Sequence, residues 1–249
     1  MSIIIKSDPE IELMSRAGKI VAEVLKKLKS EVRPGITTKE LDEIAAREVV
    51  TLGGVPSFKG YRGYPANICV SINEEIVHGI PDKRVLLNGD LVSIDFGAIY
   101  EGFQGDAALT VGVGQLTKEA LRLMEVTENS LQAGIKAAKA GARLGDVSYA
   151  IQNYVESRKL TVIREYTGHG IGRIMHEDPQ IPNFGVQGQG PVLKKGMTLA
   201  LEPMVCTGDW HTIVGSNHWT VSTADGGLAA HFEHTIAVTD GQPRILTVS

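Results

Sequence analysis

The chain begins with apolar residues that recur at the spacing of an α-helix. The stripe consists of Ile11, Met14, Ala17, Val21 and Leu25. Before it, Ser7 and Glu10 fit a capping box, and Pro9 fits the first helical turn. The pattern therefore predicts an amphipathic helix that begins near residue 8.

Further helices and several strands are predicted downstream. A turn and a helix cover 33–54, and two more amphipathic helices cover 117–139 and 144–160. Runs rich in apolar residues predict strands at 68–72, 91–97, 107–113, 197–205, 218–223 and 231–239. Helices and strands occur in both halves of the chain without a linker between them, which favours one α+β domain over 1–249.

The two halves of the chain resemble each other in sequence. The equivalent positions are Gly35 and Gly141, Gly89 and Gly196, Asp95 and Glu202, and Asp106 and Glu233. The offset is 106 or 107 residues for the first three pairs and 127 for the fourth, so the second half carries an insertion. This self-similarity predicts a duplicated ααββ-type unit, roughly 8–113 and 117–240.

Composition narrows the class of protein. The 249 residues carry a formal charge of −4 that is spread along the chain, which gives no footprint for nucleic acid. Two cysteines are too few for a disulfide framework. No export signal and no apolar run of about 20 residues is visible, so we expect a cytoplasmic protein with no membrane association.

Two aspartates stand in strands that are otherwise apolar. A hairpin that turns at Tyr100 and Glu101 would pair residues whose numbers sum to 201, which places Asp95 directly opposite Asp106 with Cβ atoms about 5 Å apart. If the two halves pack together, Glu202 and Glu233 approach the same place. Four carboxylates in one pocket raise one another's pKa, whereas two divalent cations would neutralise them. We therefore interpret these acids as metal ligands; the alternative is that some of them face solvent or form salt bridges.

Histidines complete the candidate site. His169 lies between Gly168 and Gly170, where the backbone can come close to whatever the imidazole binds. His176 follows seven residues later, and His78 comes directly after a predicted strand. Carboxylate oxygens with one imidazole form a fairly hard ligand set, which favours Mn, Fe or Co and leaves Zn open.

Five motifs together resemble those of the type I methionine aminopeptidases. They are "NEEIVHGIP", "SIDFGAIYEGFQGDAALTV", "YTGHGIGRIMHEDPQI", "LALEPMV" and "FEHTIAVT". The resemblance runs from about residue 5 to the C-terminus. It implies the pita-bread fold, in which two pseudo-twofold-related αβ halves surround a dinuclear metal site. It also implies an aminopeptidase that removes the N-terminal methionine from nascent proteins and peptides and prefers a small second residue.

The resemblance assigns the metal ligands residue by residue. It makes Asp95 a ligand of one metal and His169 and Glu202 ligands of the other, with Asp106 and Glu233 bridging the pair. Glu202 would also act as general base toward the bridging water. The two ions would be Co, Mn, Fe or Zn.

The resemblance also implies residues that bind substrate. His78 would meet the scissile amide, and His176 would meet its carbonyl oxygen or the next residue. The positions that match the methionine pocket are Phe58, Tyr61, Tyr64, Cys69, Met175 and Trp219. The chain departs from many relatives at His231, where they have glutamine.

Two other functions stay open at this point. One is a proline-type pita-bread peptidase, similar to aminopeptidase P or prolidase, and the other is a non-catalytic binding protein of the same fold. For the main interpretation, the partners are methionine-terminated peptides and nascent polypeptides. A transient ribosome contact is left open.

Overall fold

The computed structural model of the protein describes residues 2–248. Its α-helices are α1 (Asp8–Glu31), α2 (Thr38–Thr51), α3 (Lys118–Ala137) and α4 (Leu144–Glu156). The predicted start of the first helix is confirmed, and the Glu10 carboxylate accepts a hydrogen bond from the Ser7 backbone N–H at 3.0 Å. Within residues 2–248, no helix has the length and apolar character needed to cross a membrane.

The strands divide between the two halves of the chain. The first half holds β1 (Val55–Pro56), β2 (Cys69–Ile72), β3 (Glu75–Val77), β4 (Leu91–Tyr100) and β5 (Phe103–Gly112). The second half begins with β6 (Thr161–Val162), β7 (Thr167–Gly170), β8 (Glu177–Pro182), β9 (Thr198–Leu201) and β10 (Met204–Cys206). It continues with β11 (Thr212–Val214), β12 (Val221–Thr223), β13 (Ala229–His231), β14 (Glu233–Ala237) and β15 (Arg244–Ile245).

One large sheet joins the two halves. Its strand order is β1-β4-β5-β14-β9-β7-β8, with β2 also paired to β4 and β15 to β14. The junction between the halves is the antiparallel pairing of β5 with β14, in which Glu233 lies opposite Ala108. Two smaller sheets, β13-β10-β6 and β11-β12-β3, flank the large one.

The helices cover one face of the large sheet. Ile94 and Phe96 of β4 share a core with Val21 and Leu25 of α1. Because successive side chains of a strand point to opposite faces, Asp95 lies on the other face. A second core, which contains residues of α3, α4 and β9, covers the sheet in the second half in the same way.

The hairpin of β4 and β5 differs in register from the sequence prediction. Its paired residues sum to 203 rather than 201, so Asp95 pairs with Ala108 and Asp106 pairs with Gly97. The reason is the turn, which places Glu101 (φ 47°) and Gly102 (φ 78°) in left-handed conformations. Glycine is favoured at such a position, so the loop shifts one residue toward it. The two aspartates are therefore diagonal neighbours on one face, not a directly opposed pair.

The same backbone contact recurs in both halves. Gly35 has φ 93° and donates its N–H to the Leu86 carbonyl at 2.9 Å. Gly141 has φ 89° and donates its N–H to the Leu193 carbonyl at 2.9 Å. A positive φ is the reason that glycine stands at both positions.

Candidate metal centre

Five adjacent strands each bring one of the predicted metal ligands to the face away from the helices. In sheet order the strands are β4, β5, β14, β9 and β7. The side chains are Asp95, Asp106, Glu233, Glu202 (the residue directly after β9) and His169. Residues far apart in the sequence thus become neighbours, because the pairing of β5 with β14 joins the strands of the two halves into one sheet.

The ligand atoms of this group lie close together. One side-chain ligand atom each of Asp106, His169 and Glu233 lies within 4.8 Å of the other two. His169 Nε2 lies 3.6 Å from Glu202 Oε1. Asp106, Glu233 and His169 are 5%, 2% and 6% exposed, so the group is enclosed by protein.

Several buried polar atoms of the group lack a hydrogen-bond partner among the described residues. They are Asp95 Oδ1, Asp106 Oδ1, Glu233 Oε1 and His231 Nε2. An unpaired acceptor in the protein interior is costly unless something compensates for it. The three carboxylate oxygens belong to residues that line one cavity with the imidazole of His169, and a divalent cation is the kind of group that would satisfy them. The residues present therefore fit a metal ion.

Electrostatics lead to the same conclusion. Burial raises the pKa of Asp95 to about 7. Burial raises the pKa of Asp106, Glu202 and Glu233 well above the usual range, and the charge of neighbouring carboxylates raises it further. Without a cation, the group retains protons near neutral pH because its charges repel one another.

Hydrogen bonding leaves one nitrogen of His169 free to bind a metal. Its Nδ1 lies 2.8 Å from the Gly170 carbonyl, which can only accept, so Nδ1 carries the proton and Nε2 keeps its lone pair. Burial lowers the pKa of His169 to about 4, so the ring is neutral at pH 7. A Cβ on Gly168 would lie 2.4 Å from the Ala200 carbonyl oxygen, which explains the glycine beside it.

The two other predicted histidines stand at the edge of the group. The ring of His176 lies 4.3 Å from that of His169, centroid to centroid, and its Nδ1 lies 2.9 Å from the Tyr61 hydroxyl. His78 follows β3 and has φ 60°, an uncommon backbone conformation that is often found at functional sites. Burial lowers the pKa of His78, and it lowers that of His176 to about 3.

A cavity of about 140 Å³ opens onto the carboxylates and histidines. Five of the six residues predicted for the methionine pocket line it, namely Phe58, Tyr61, Tyr64, Cys69 and Trp219. Met175 does not belong to this lining; it is 2% exposed and packs in a core with Phe58. Arg62, which is not among the predicted site residues, also lines the cavity. Gly60 and Gly63 indicate a turn there, but no pattern in the sequence places the Arg62 side chain on the cavity lining.

His231 lies directly behind the carboxylates and is 1% exposed. Its Nε2 is 3.7 Å from Glu202 Oε2 and 4.0 Å from Glu233 Oε2. At this position the imidazole can orient both carboxylates from outside the metal site.

Comparison with known proteins gives consistent matches along the chain. Residues 12–240 match the model of metallopeptidase family M24. The methionine aminopeptidase of Clostridium acetobutylicum is 53% identical over 247 residues, which cover 99% of each chain. Methionine aminopeptidase 1 of Bacillus subtilis is 52% identical, over 98% of this chain and 99% of its own.

A solved structure shows the same fold. The crystal structure of methionine aminopeptidase from Thermotoga maritima superposes with a TM-score of 0.98. It is 49% identical to this chain and covers 100% of both chains. The expected pita-bread fold is thereby confirmed.

Proposed function

The chain belongs to metallopeptidase family M24 and is a methionine aminopeptidase, and from this premise we propose which of its residues carry out the reaction. The observation that supports the assignment most strongly is the set of five side chains on five adjacent strands. They converge beside one cavity and leave three carboxylate oxygens without a partner among residues 2–248. Neither rival function is favoured, since relatives that are half identical over the full length are methionine aminopeptidases.

We propose that two divalent ions bind here. Asp95 would hold one ion, His169 and Glu202 would hold the other, and Asp106 and Glu233 would bridge them. When bound, such ions polarise a carbonyl and lower the pKa of water toward neutrality. The shared position of Asp106 and Glu233 supports their bridging role, because each has a ligand atom close to His169. Co, Mn, Fe and Zn all suit this mixed oxygen and nitrogen donor set.

Glu202 is our candidate for the general base. Its side chain is 14% exposed, whereas the side chain of Glu233 is 2% exposed. Glu202 is therefore the more accessible of the two carboxylates to a water in the cavity. It would take a proton from the attacking water and deliver it to the amine that leaves. His231 would keep the carboxylate in position from behind.

His78 and His176 would bind the peptide bond that is cleaved. Burial lowers the pKa of both rings, so they are neutral at pH 7 and can donate hydrogen bonds without adding charge to the site. His78 would contact the scissile amide, and His176 would contact its carbonyl oxygen or the next residue. The Tyr61 hydroxyl, 2.9 Å from Nδ1 of His176, fixes the orientation of that ring.

The chemistry of the residues that line the cavity suits a methionine side chain. Aromatic rings and the Cys69 thiol surround it, and a thioether makes favourable contacts with aromatic rings. Packing alone separates similar apolar side chains by only about 1–3 kcal/mol, so the preference for methionine is strong but incomplete. The proposed substrates are peptides and nascent polypeptides in the cytoplasm that have a small second residue after the methionine. The proposal also treats the chain as one catalytic domain with repeats over 8–113 and 117–240.

A peptide assay tests these roles. Protein loaded with Mn or Co is given Met-Ala-Ser and its N-acetylated form, and the Ala-Ser that cleavage would release from either peptide is measured. We expect release from the first peptide alone, because a free amine marks the end that this exopeptidase recognises. Equal release from the acetylated peptide would contradict this account. Cleavage of peptides with proline in second place, whatever the first residue, would favour the proline-type alternative.

A further inference from the structure

Arg62 is a cationic side chain on the lining of the active-site cavity. The rest of that lining consists of aromatic residues, one cysteine, three histidines and the four carboxylates of the metal centre. Among the described residues that line the cavity, Arg62 alone carries a permanent positive charge. Since the carboxylates are assigned to the metal ions, this guanidinium is available to another group.

The guanidinium of Arg62 has no anionic partner within residues 2–248. It lies over the ring of Tyr61, 5.4 Å from the centroid, and the residue is exposed to solvent. A guanidinium presents several N–H donors in a planar fork, a geometry that matches a carboxylate. An exposed and unpaired arginine beside a peptide-binding cavity is thus suited to an acidic group of the peptide.

The local backbone holds Arg62 at this place. It has φ 50° and lies between Gly60 (φ 86°) and Gly63 (φ 88°). The turn is closed by hydrogen bonds from Gly60 N–H to the Tyr64 carbonyl at 2.8 Å and from Tyr64 N–H to the Tyr61 carbonyl at 2.9 Å. A non-glycine residue in a left-handed conformation costs free energy, so this turn directs the side chain at the expense of local stability.

Arg62 stands on the side of the cavity where the peptide continues beyond its first residue. Its neighbour Tyr61 is hydrogen-bonded to His176, which is proposed to meet the scissile carbonyl or the next residue. Arg62, Tyr61 and His176 all line the same cavity. An extended peptide advances about 3.3 Å per residue, so its third residue comes within reach of a long side chain at the rim.

We propose that Arg62 forms a subsite for a carboxylate side chain at the third residue of the peptide. The preference for methionine at the first position would then be joined by a preference for aspartate or glutamate two residues later. This inference rests on the proposed function, because it assumes that a peptide enters with its methionine in the cavity.

A matched pair of peptides tests the subsite. The peptides are Met-Ala-Asp-Ser-Leu and Met-Ala-Asn-Ser-Leu, which have nearly the same shape and differ in one charge. We expect kcat/KM to be about 1.5- to 5-fold higher for the aspartate peptide at low salt, the range for an exposed ion pair. The ratio should approach one at about 0.5 M salt, where charges near the surface are screened. The protein's net charge of −4 acts in the opposite direction, so a general field effect cannot imitate this result.

Variants assign the preference to one side chain. Arg62→Asn removes the charge with a residue that tolerates the left-handed conformation, and the peptide ratio should fall to about one. Arg62→Lys keeps the charge and should restore most of the ratio. The matched control is Arg158→Gln, since Arg158 also lies over a tyrosine ring (3.6 Å from the Tyr154 centroid) but lines a different cavity. The control should keep the ratio of the unchanged protein.

The outcomes separate this inference from the proposed function. A ratio of one in the unchanged protein at low salt, with methionine released from both peptides, overturns the subsite and leaves the aminopeptidase intact. A ratio that persists in Arg62→Asn overturns it as well, because another group then recognises the aspartate. Release from neither peptide overturns the proposed function and the subsite together.

Discussion

Lys6 and Glu177 form an ion pair in which each side chain is only 4% exposed. The pair joins the segment before α1 to the first residue of β8, directly after His176. The other carboxylate oxygen of Glu177 accepts the N–H of Ile174 at 3.3 Å. Lys6 in turn donates its backbone N–H to the Gly196 carbonyl at 2.8 Å. The N-terminal segment thus braces the loop that carries His176.

The first prediction concerns this pair. Lys6→Met should lower the free energy of unfolding by about 3–5 kcal/mol, because it leaves the Glu177 carboxylate buried and unpaired. Adding Glu177→Gln to it should recover part of the loss, since the double variant buries no unpaired charge. Chemical denaturation of the unchanged protein and the two variants measures both effects.

A matched control for Lys6 is available on the surface. Lys195 lies 3.0 Å from Asp240, but the two side chains are 57% and 76% exposed. An exposed pair contributes about 0–1 kcal/mol, so Lys195→Met should change the unfolding free energy little. If Lys6→Met proved as mild as Lys195→Met, the bracing role would be wrong.

Some of this architecture could be predicted from the sequence, and some could not. The convergence of Asp95, Asp106, Glu202 and Glu233 on one cavity could be predicted, because all four are carboxylates in strands that are otherwise apolar. The predicted register of the β4–β5 hairpin is wrong by two positions. The turn lies at Glu101 and Gly102, one residue later than predicted.

Other features leave no local pattern in the sequence. The ion pair of Lys6 with Glu177 spans 171 residues, and neither position has an unusual neighbourhood in the chain. Arg62 looks like an ordinary surface arginine until the fold places it on the cavity lining. Periodicity and spacing report elements and repeats, whereas such contacts depend on how the elements pack.

The second prediction concerns the pH dependence of the metal-free protein. Burial raises the pKa of Asp95 to about 7 and raises that of Asp106, Glu202 and Glu233 well above the usual range. The folded state therefore holds protons that the unfolded chain releases near pH 4. The stability from these groups is full below that pH and is lost as the pH rises through the folded pKa values.

Buried histidines act in the opposite direction, but only at lower pH. Burial lowers the pKa of His169 to about 4 and that of His176 to about 3. Their contribution is present above the unfolded pKa of about 6.5 and is lost as the pH falls toward the folded values. Between pH 7 and 8 the histidines are mostly neutral in both states, so the carboxylates decide the sign.

We therefore expect the unfolding free energy of metal-free protein to fall by about 1–4 kcal/mol between pH 7 and 8, at about 1.4 kcal/mol per pH unit for each extra proton held. Asp106→Asn should reduce this slope, and saturating Mn should abolish it. Denaturation curves at several pH values measure all three. A slope that is flat or positive in the metal-free protein would contradict the electrostatic account of the centre.

The third prediction concerns the bridging carboxylates. Asp106→Asn and Glu233→Gln should each reduce bound metal from about two ions to less than one, because each carboxylate is proposed to hold both ions. Elemental analysis after equilibrium dialysis measures the content independently of activity. Asp240→Asn removes an exposed carboxylate as a control and should keep the full content. Two ions bound in both bridging variants would rule out the dinuclear assignment.

The last prediction isolates His78, which is proposed to contact substrate without binding metal. If its hydrogen bond to the scissile amide strengthens as that amide becomes tetrahedral, the contact stabilises the transition state more than the bound substrate. His78→Ala should then lower kcat about 10²- to 10⁴-fold and change KM far less. Metal content, measured on the same samples, should stay at the level of the unchanged protein.

The backbone of His78 requires a second variant. At φ 60° an alanine is strained, so His78→Ala could lose activity through local distortion. Asparagine tolerates this conformation better, and His78→Asn should show the same loss of kcat if the imidazole itself is needed. His211→Ala, which removes an exposed ring on another loop, should leave kcat unchanged. If His78→Asn kept kcat within about threefold of the unchanged protein, His78 would have no part in the reaction, and the lost activity of the alanine variant would belong to the turn that holds it.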